Sequence, residues 1–141
     1  MKRMVFLVLI AAIAAIVVLS CEKAQEVLGI TIAGNVSNAG QPVEGAFVLL
    51  VDKAEITQGF PIGNGSVTLG NGNYTIIRVE EGTYYICAVK DEDGNQQYDL
   101  GTDPIGWYGH PDSITGLTIP DSVIVTDQDI SNIDIDTLYM Q

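Results

Sequence analysis

The chain is poor in the residues that most protein chemistry relies on. Its 141 residues include two cysteines, one histidine and one tryptophan. Two cysteines cannot build the dense disulfide framework of a small secreted scaffold. One histidine beside them is not the three or four nitrogen and sulfur ligands that zinc needs. No serine or cysteine stands in a recognisable nucleophile motif. Cations are scarce too: six Lys and Arg residues face eighteen Asp and Glu, a net charge of −12. Nucleic acid is thereby excluded as a partner, because phosphate binding needs a basic face. Beyond the first twenty residues, no 3.6-residue apolar period is long enough for a helix. Internal repeats and low-complexity linkers are also lacking.

What is present begins at the N-terminus. Lys2 and Arg3 precede an unbroken apolar run from Met4 to Leu19, then Ser20 and Cys21. This is the layout of a secretory signal peptide. "VLSC" resembles the lipobox of bacterial lipoproteins, with Leu19 standing one place later than the commonest pattern. The resemblance implies a signal peptide over 1–20 and a hydrophobic signal helix there. It further implies lipidation of Cys21, a lipidated tether over 21–28, and a place in the bacterial cell envelope facing the periplasm or exterior. An uncleaved signal anchor is the alternative, and it exports the rest equally. From residue 21 on, only Lys23, Lys53, Arg78 and Lys90 oppose all eighteen acids, a net of −14. Cys87 is then the sole remaining thiol. It lies in an apolar strand pattern and reads as a small core residue rather than a nucleophile.

Residues 29–141 have the rhythm of an all-β domain, with short apolar runs punctuated by Gly, Asn, Asp and Pro. In "GITIAGNVS", Ile30, Ile32 and Val36 share a face. "AFVLLVD" is apolar on both faces, which suits a central strand. "GSVTL" and "NYTIIRV" read as a hairpin joined by "GNG". In "TYYICAVK", Tyr84, Ile86 and Ala88 line one side. In "ISNIDIDTLYM", Ile133 and Ile135 alternate with Asp134 and Asp136, as in a half-exposed strand. The count predicts a single antiparallel β-sandwich of seven or eight strands.

Gly34, Val36, Gly40, Pro42, Val43, Gly45, Ala46, Gly72, Tyr74, Gly82 and Tyr84 follow a pattern of turn glycines and core positions. It resembles the carboxypeptidase regulatory-like, or transthyretin-like, β-sandwich domains. The resemblance covers residues 29–90, and the closing strand 129–138 fits it. It implies a small Ig-like sandwich serving as an accessory, stabilising or binding module without peptidase chemistry.

The functional question falls on an acidic loop insertion over 91–112. Asp91, Asp93, Asn95, Gln97 and Asp99 occupy positions 1, 3, 5, 7 and 9 of a loop. Asp103 lies one residue beyond the usual closing carboxylate. Alternating oxygen ligands let a backbone curl around Ca²⁺, which takes six to eight oxygens at ~2.3–2.6 Å. The loop departs from the EF-hand: position 6 is Gln96 rather than Gly, and no bidentate Glu closes it. A calcium site and a metal-free acidic turn both remain open readings. Trp107 and Tyr108, in "GWYGHP", are candidate ligand-binding aromatics, with folding back over the core as the alternative. Expected partners are a membrane, through the N-terminal lipid, and an envelope protein or glycan. The expected role is a non-catalytic binding or assembly module. A purely structural domain is the alternative, and a hydrolase using Asp91, Asp99 or His110 is the most remote.

Overall fold

The computed structural model describes residues 29–141, and every regular element in that span is a β-strand. The signal segment, the lipidation at Cys21 and the tether to residue 28 lie outside the described residues. In chain order the strands are β1 (Ile30–Asn35), β2 (Ser37–Asn38), β3 (Gln41–Pro42), β4 (Phe47–Val51), β5 (Phe60–Pro61), β6 (Ser66–Val67) and β7 (Asn73–Val79). They continue as β8 (Gly82–Val89), β9 (Gln97–Tyr98), β10 (Ile105–Trp107), β11 (Gly109–Pro111), β12 (Thr118–Pro120) and β13 (Val123–Val125). All strand pairs are antiparallel.

Strand β8 is the axis. Along one edge it pairs with β4, from Phe47 opposite Val89 to Val51 opposite Tyr85. Two strands share its other edge: β10 pairs Trp107 with Cys87, and β13 pairs Val123 with Tyr84. β6 extends the sheet beyond β4. A second, two-stranded layer is made by β1 and β7, with Gly34 opposite Tyr74.

Alternation along β8 explains the layering. Ile86 and Ala88 face the β1–β7 layer and join Ile32, Val36, Val48, Tyr74, Ile133 and Ile135 in one core. Cys87 and Val89 face the other way, into a second core with Leu49, Ile62, Tyr98, Ile105 and Trp107. The central sheet is therefore apolar on both faces, as "AFVLLVD" foretells for β4; for "TYYICAVK" the sequence shows only the face of Tyr84, Ile86 and Ala88. A sheet buried on both faces needs two covers, and here the second is built from loop residues and short strands.

One expected pairing is different. "GSVTL" and "NYTIIRV" do not form a ladder together: β6 pairs β4, while β7 pairs β1. The "GNG" turn still reverses the chain, with Gly72 N–H donating to the Leu69 carbonyl at 2.8 Å. It hands the chain from one layer to the other.

The last segment joins the two layers. It meets β1 through a parallel bridge of Ile130 to Ile32, and Val36 just beyond β1 through one from Ile135, then meets β10 through an antiparallel bridge of Tyr139 to Ile105. Ile133 and Ile135 are buried and Asp134 and Asp136 exposed, so the expected alternation holds without a regular ladder. Two glycines let the segment pass. A Cβ on Gly34 would lie 1.9 Å from the Ile133 carbonyl oxygen, and one on Gly106 would lie 2.2 Å from that of Thr137. Both contacts are with backbone, which cannot swing aside. Gly34→Ala and Gly106→Ala should each cost about 3 kcal/mol in urea unfolding. Gly116→Ala, whose Cβ meets nothing within 4 Å at φ +73°, should cost only about 1 kcal/mol. Equal losses at all three positions would show that the crossing is not tight.

Candidate functional site

The acidic loop is anchored before it is charged. It leaves β8 at Lys90, whose N–H donates to the Pro104 carbonyl at 3.0 Å and closes the base. Lys90 Nζ donates to the Glu44 carbonyl at 2.7 Å. On the far side, β9 pairs with β5, and Ile62 N–H donates to the Gln96 carbonyl. Tyr98 between these ties is fully buried in the second core. The loop thus forms part of the cover over Cys87 and Val89.

Asp103 holds the loop together. It is fully buried. Its Oδ1 accepts the Glu92 N–H at 2.9 Å and its Oδ2 accepts the Asp99 N–H at 2.8 Å. One carboxylate thereby ties the outgoing limb to the returning one. Asp91 does similar work outside: Oδ1 accepts Gly94 N–H at 2.8 Å, and Oδ2 accepts Gln96 N–H at 2.9 Å. Asp93 accepts both the backbone and the side-chain amide of Asn95, each at 3.1 Å.

These three converge. One carboxylate oxygen each from Asp91, Asp93 and Asp103 lies within 4.8 Å of the others. Asp99 is turned elsewhere, accepting hydrogen bonds from the side-chain amides of Gln58 and Asn95. Asn95 Oδ1 accepts the Gln97 N–H at 2.7 Å, and Gln97 sits in the β5–β9 pair opposite Pro61. Positions 1, 3 and 13 of the loop therefore share one point, while 5, 7 and 9 make its frame. Gln58, which also accepts the Leu100 N–H at 2.6 Å, supports the loop from outside. Nothing in the spacing of the acidic stretch points to it, because it is forty residues away along the chain.

The electrostatics follow from this crowding. Desolvation opposes ionisation of Asp91, but the Gln96 and Gly94 N–H groups outweigh it and hold the carboxyl below its ordinary range. For Asp93 the balance is reversed. The Asn95 N–H pulls it down, but desolvation and the Asp99, Asp91 and Asp103 carboxylates together hold it above its ordinary range. Carboxylates this close repel unless a proton or a cation sits between them.

The aromatic candidates lie elsewhere. Trp107 is 5% exposed and packs in the second core, so its ring offers no platform to a ligand. Tyr108 is half-buried against the first core. Trp107 at the end of β10 and Tyr108 just beyond it thus pack against different cores. His110 is exposed, with Nδ1 3.0 Å from the Asp121 carboxylate. Cys87 is fully buried, and desolvation pushes its thiol up to about 12, which makes it inert as a nucleophile at neutral pH.

Comparison with protein-family models, with curated proteins and with solved structures finds no match for this chain. Its chemistry must be judged from these residues alone. Asp103→Ala would strand the N–H groups of Glu92 and Asp99. It should cost about 3 kcal/mol in thermal or urea unfolding and speed amide exchange at both positions. A loss within the ordinary surface range, about 0.5 kcal/mol, would deny Asp103 this role.

Proposed function

We propose that the chain is a lipid-anchored, extracytoplasmic β-sandwich of the bacterial envelope, acting as a non-catalytic binding or assembly module. Its loop 91–103 takes Ca²⁺, and the ion orders the cover of the second core. The observation that carries this reading is the approach of the Asp91, Asp93 and Asp103 carboxylates at one end of β8. Oxygen-only ligands of negative charge suit a hard cation, and an exposed site with few protein ligands suits the millimolar affinities of extracellular modules. Glu92, Asp99 and backbone carbonyls are close in sequence, and water fills the remaining positions around such an ion.

The polarity of the fold supports the orientation. Gly29, where the tether would end, lies beside Arg78, just before β8 begins. The acidic loop leaves the other end of β8, eight residues and roughly 25 Å away. An anchor at Cys21 would therefore hold the loop away from the membrane. That arrangement also spares an acidic domain from anionic headgroups. The resemblance to the carboxypeptidase regulatory-like domains favours a binding or stabilising role over catalysis. The inert Cys87 favours it too.

Two experiments test the two halves. Ca²⁺ at millimolar concentration should raise the melting temperature above that in chelator and give saturable heat in calorimetry. Asp93→Asn removes a repelled carboxylate while keeping an acceptor for the Asn95 N–H. It should melt higher than the parent in chelator and lose most of the Ca²⁺ response. A parent protein indifferent to Ca²⁺ would leave the acidic loop as a turn and the domain as structural. Separately, Cys21→Ser should abolish labelling by a palmitate analogue and release the domain from the membrane fraction. Persistent labelling would sink the lipid anchor.

A further inference from the structure

The outer face of the β1–β7 layer carries a feature that the acidic loop does not explain. A cleft of about 320 Å³ opens between this strand pair and the crossing segment. Asn35, Asn73 and Thr75 line it from the strands, and Ser131, Asn132 and Asp134 from the segment. Every one of these side chains ends in an amide, a hydroxyl or a carboxylate.

The lining narrows the ligand by exclusion. No Lys, Arg or His borders the cleft, so nothing in it would recognise a phosphate, sulfate or carboxylate. Asp134 is its only acidic residue, too little for a hard cation that takes six or more oxygens. The Tyr74 ring is buried and offers no face for an aromatic ligand to stack on, and the apolar surface between the polar groups suits a ligand that also carries C–H faces. What fits is a neutral molecule dense in hydroxyls, each able to donate and accept.

The internal hydrogen bonds preset the lining for that purpose. Asn35 Nδ2 donates to Asn73 Oδ1 and to the Asn71 carbonyl, each at 2.9 Å. The Asn35 N–H donates to Asp134 Oδ1, also at 2.9 Å. These bonds fix the Asn73 amide and the Asp134 carboxylate through one oxygen each. Nδ2 of Asn73 and Oδ2 of Asp134 are left for another partner. A sugar hydroxyl can give its proton to the carboxylate oxygen while a neighbouring oxygen accepts from the amide. Side chains already held in place lose little freedom on binding.

We propose that this cleft binds a neutral carbohydrate unit, with Asp134 as hydroxyl acceptor and Asn73 as donor. The volume is at the small end for ligand sites, ~300–1,000 Å³, which suits one or two sugar rings. The site lies on the first core's layer and works without a cation at the acidic loop.

The test uses the full chain in chelator, so that the calcium reading has no bearing on it. Maltose, cellobiose and N,N′-diacetylchitobiose are titrated in, with glucose 6-phosphate as the charged control. Side-chain amide signals of Asn73 and Asn132 are followed by NMR. At least one neutral disaccharide should shift them saturably, with affinity in the millimolar range. Asp134→Asn and Asn73→Asp each keep the oxygen that serves Asn35. Each should leave the melting temperature unchanged and weaken binding roughly tenfold, the worth of one good hydrogen bond. The proposal is overturned if no neutral sugar gives a saturable shift, if both variants bind as the parent does, or if glucose 6-phosphate is preferred.

Discussion

The structure depends on burying both faces of β8. Four consecutive residues, Ile86 to Val89, are fully buried, and they point alternately to opposite sides. Removing such side chains from water contributes about 1.5–3 kcal/mol for each of the larger ones. The gain is available only if two separate covers exist. The first is the β1–β7 layer with the closing segment. The second has no sheet of comparable length. Ile62, Tyr98, Ile105 and Trp107 must be brought in from loops and short strands. A long excursion after Lys90 is therefore not an ornament on a finished sandwich. It supplies side chains that the central sheet lacks on that side.

Closure at the open edge depends on a second constraint. The final segment bonds to β1 on one layer and to Ile105 on the other, so the two layers share one seam. Tyr74 strengthens it by donating its hydroxyl to the Ile133 carbonyl at 2.6 Å. Desolvation holds that hydroxyl well above the usual phenol range, which keeps it a donor. The seam is narrow because backbone meets backbone at Gly34 and Gly106. Any side chain there would part the layers and expose Ile133 and Ile135.

Much of this was legible in the residues. A two-faced apolar run announced that β4 is central, and Ile133 and Ile135 announced their burial by alternation. Period-two patterns encode which face a residue takes, so they survive without any knowledge of partners. They do not encode which strand lies alongside. That is why "GSVTL" was expected beside "NYTIIRV" and is found beside "AFVLLVD". The two crossing glycines look like turn residues in the sequence, since a close approach from a distant segment, Ile133 at Gly34 and Thr137 at Gly106, leaves no local mark. The acidic loop was legible as a cluster of oxygens, but its internal order was not. Spacing suggested Asp99 as a converging carboxylate, whereas Gln58 and Asn95 claim it. Burial of Asp103 follows from serving two backbone N–H groups, a role set by the path of the chain rather than by the residue's neighbours.

These constraints tie the charge of the loop to the core beneath it. Asp103 is buried because the limbs of the loop need it, and its charge then repels Asp93 above. Removing the repulsion by losing Asp103 would untie the limbs. The cover would loosen over Tyr98, whose side chain is the largest fully buried one in the domain. The cation proposed above would resolve the conflict by neutralising the carboxylates while their hydrogen bonds to the Glu92, Asp99, Gly94 and Gln96 N–H groups stay in place. At the proposed site the ion and the hydrophobic core would be coupled through Asp103, which ties both limbs of the loop.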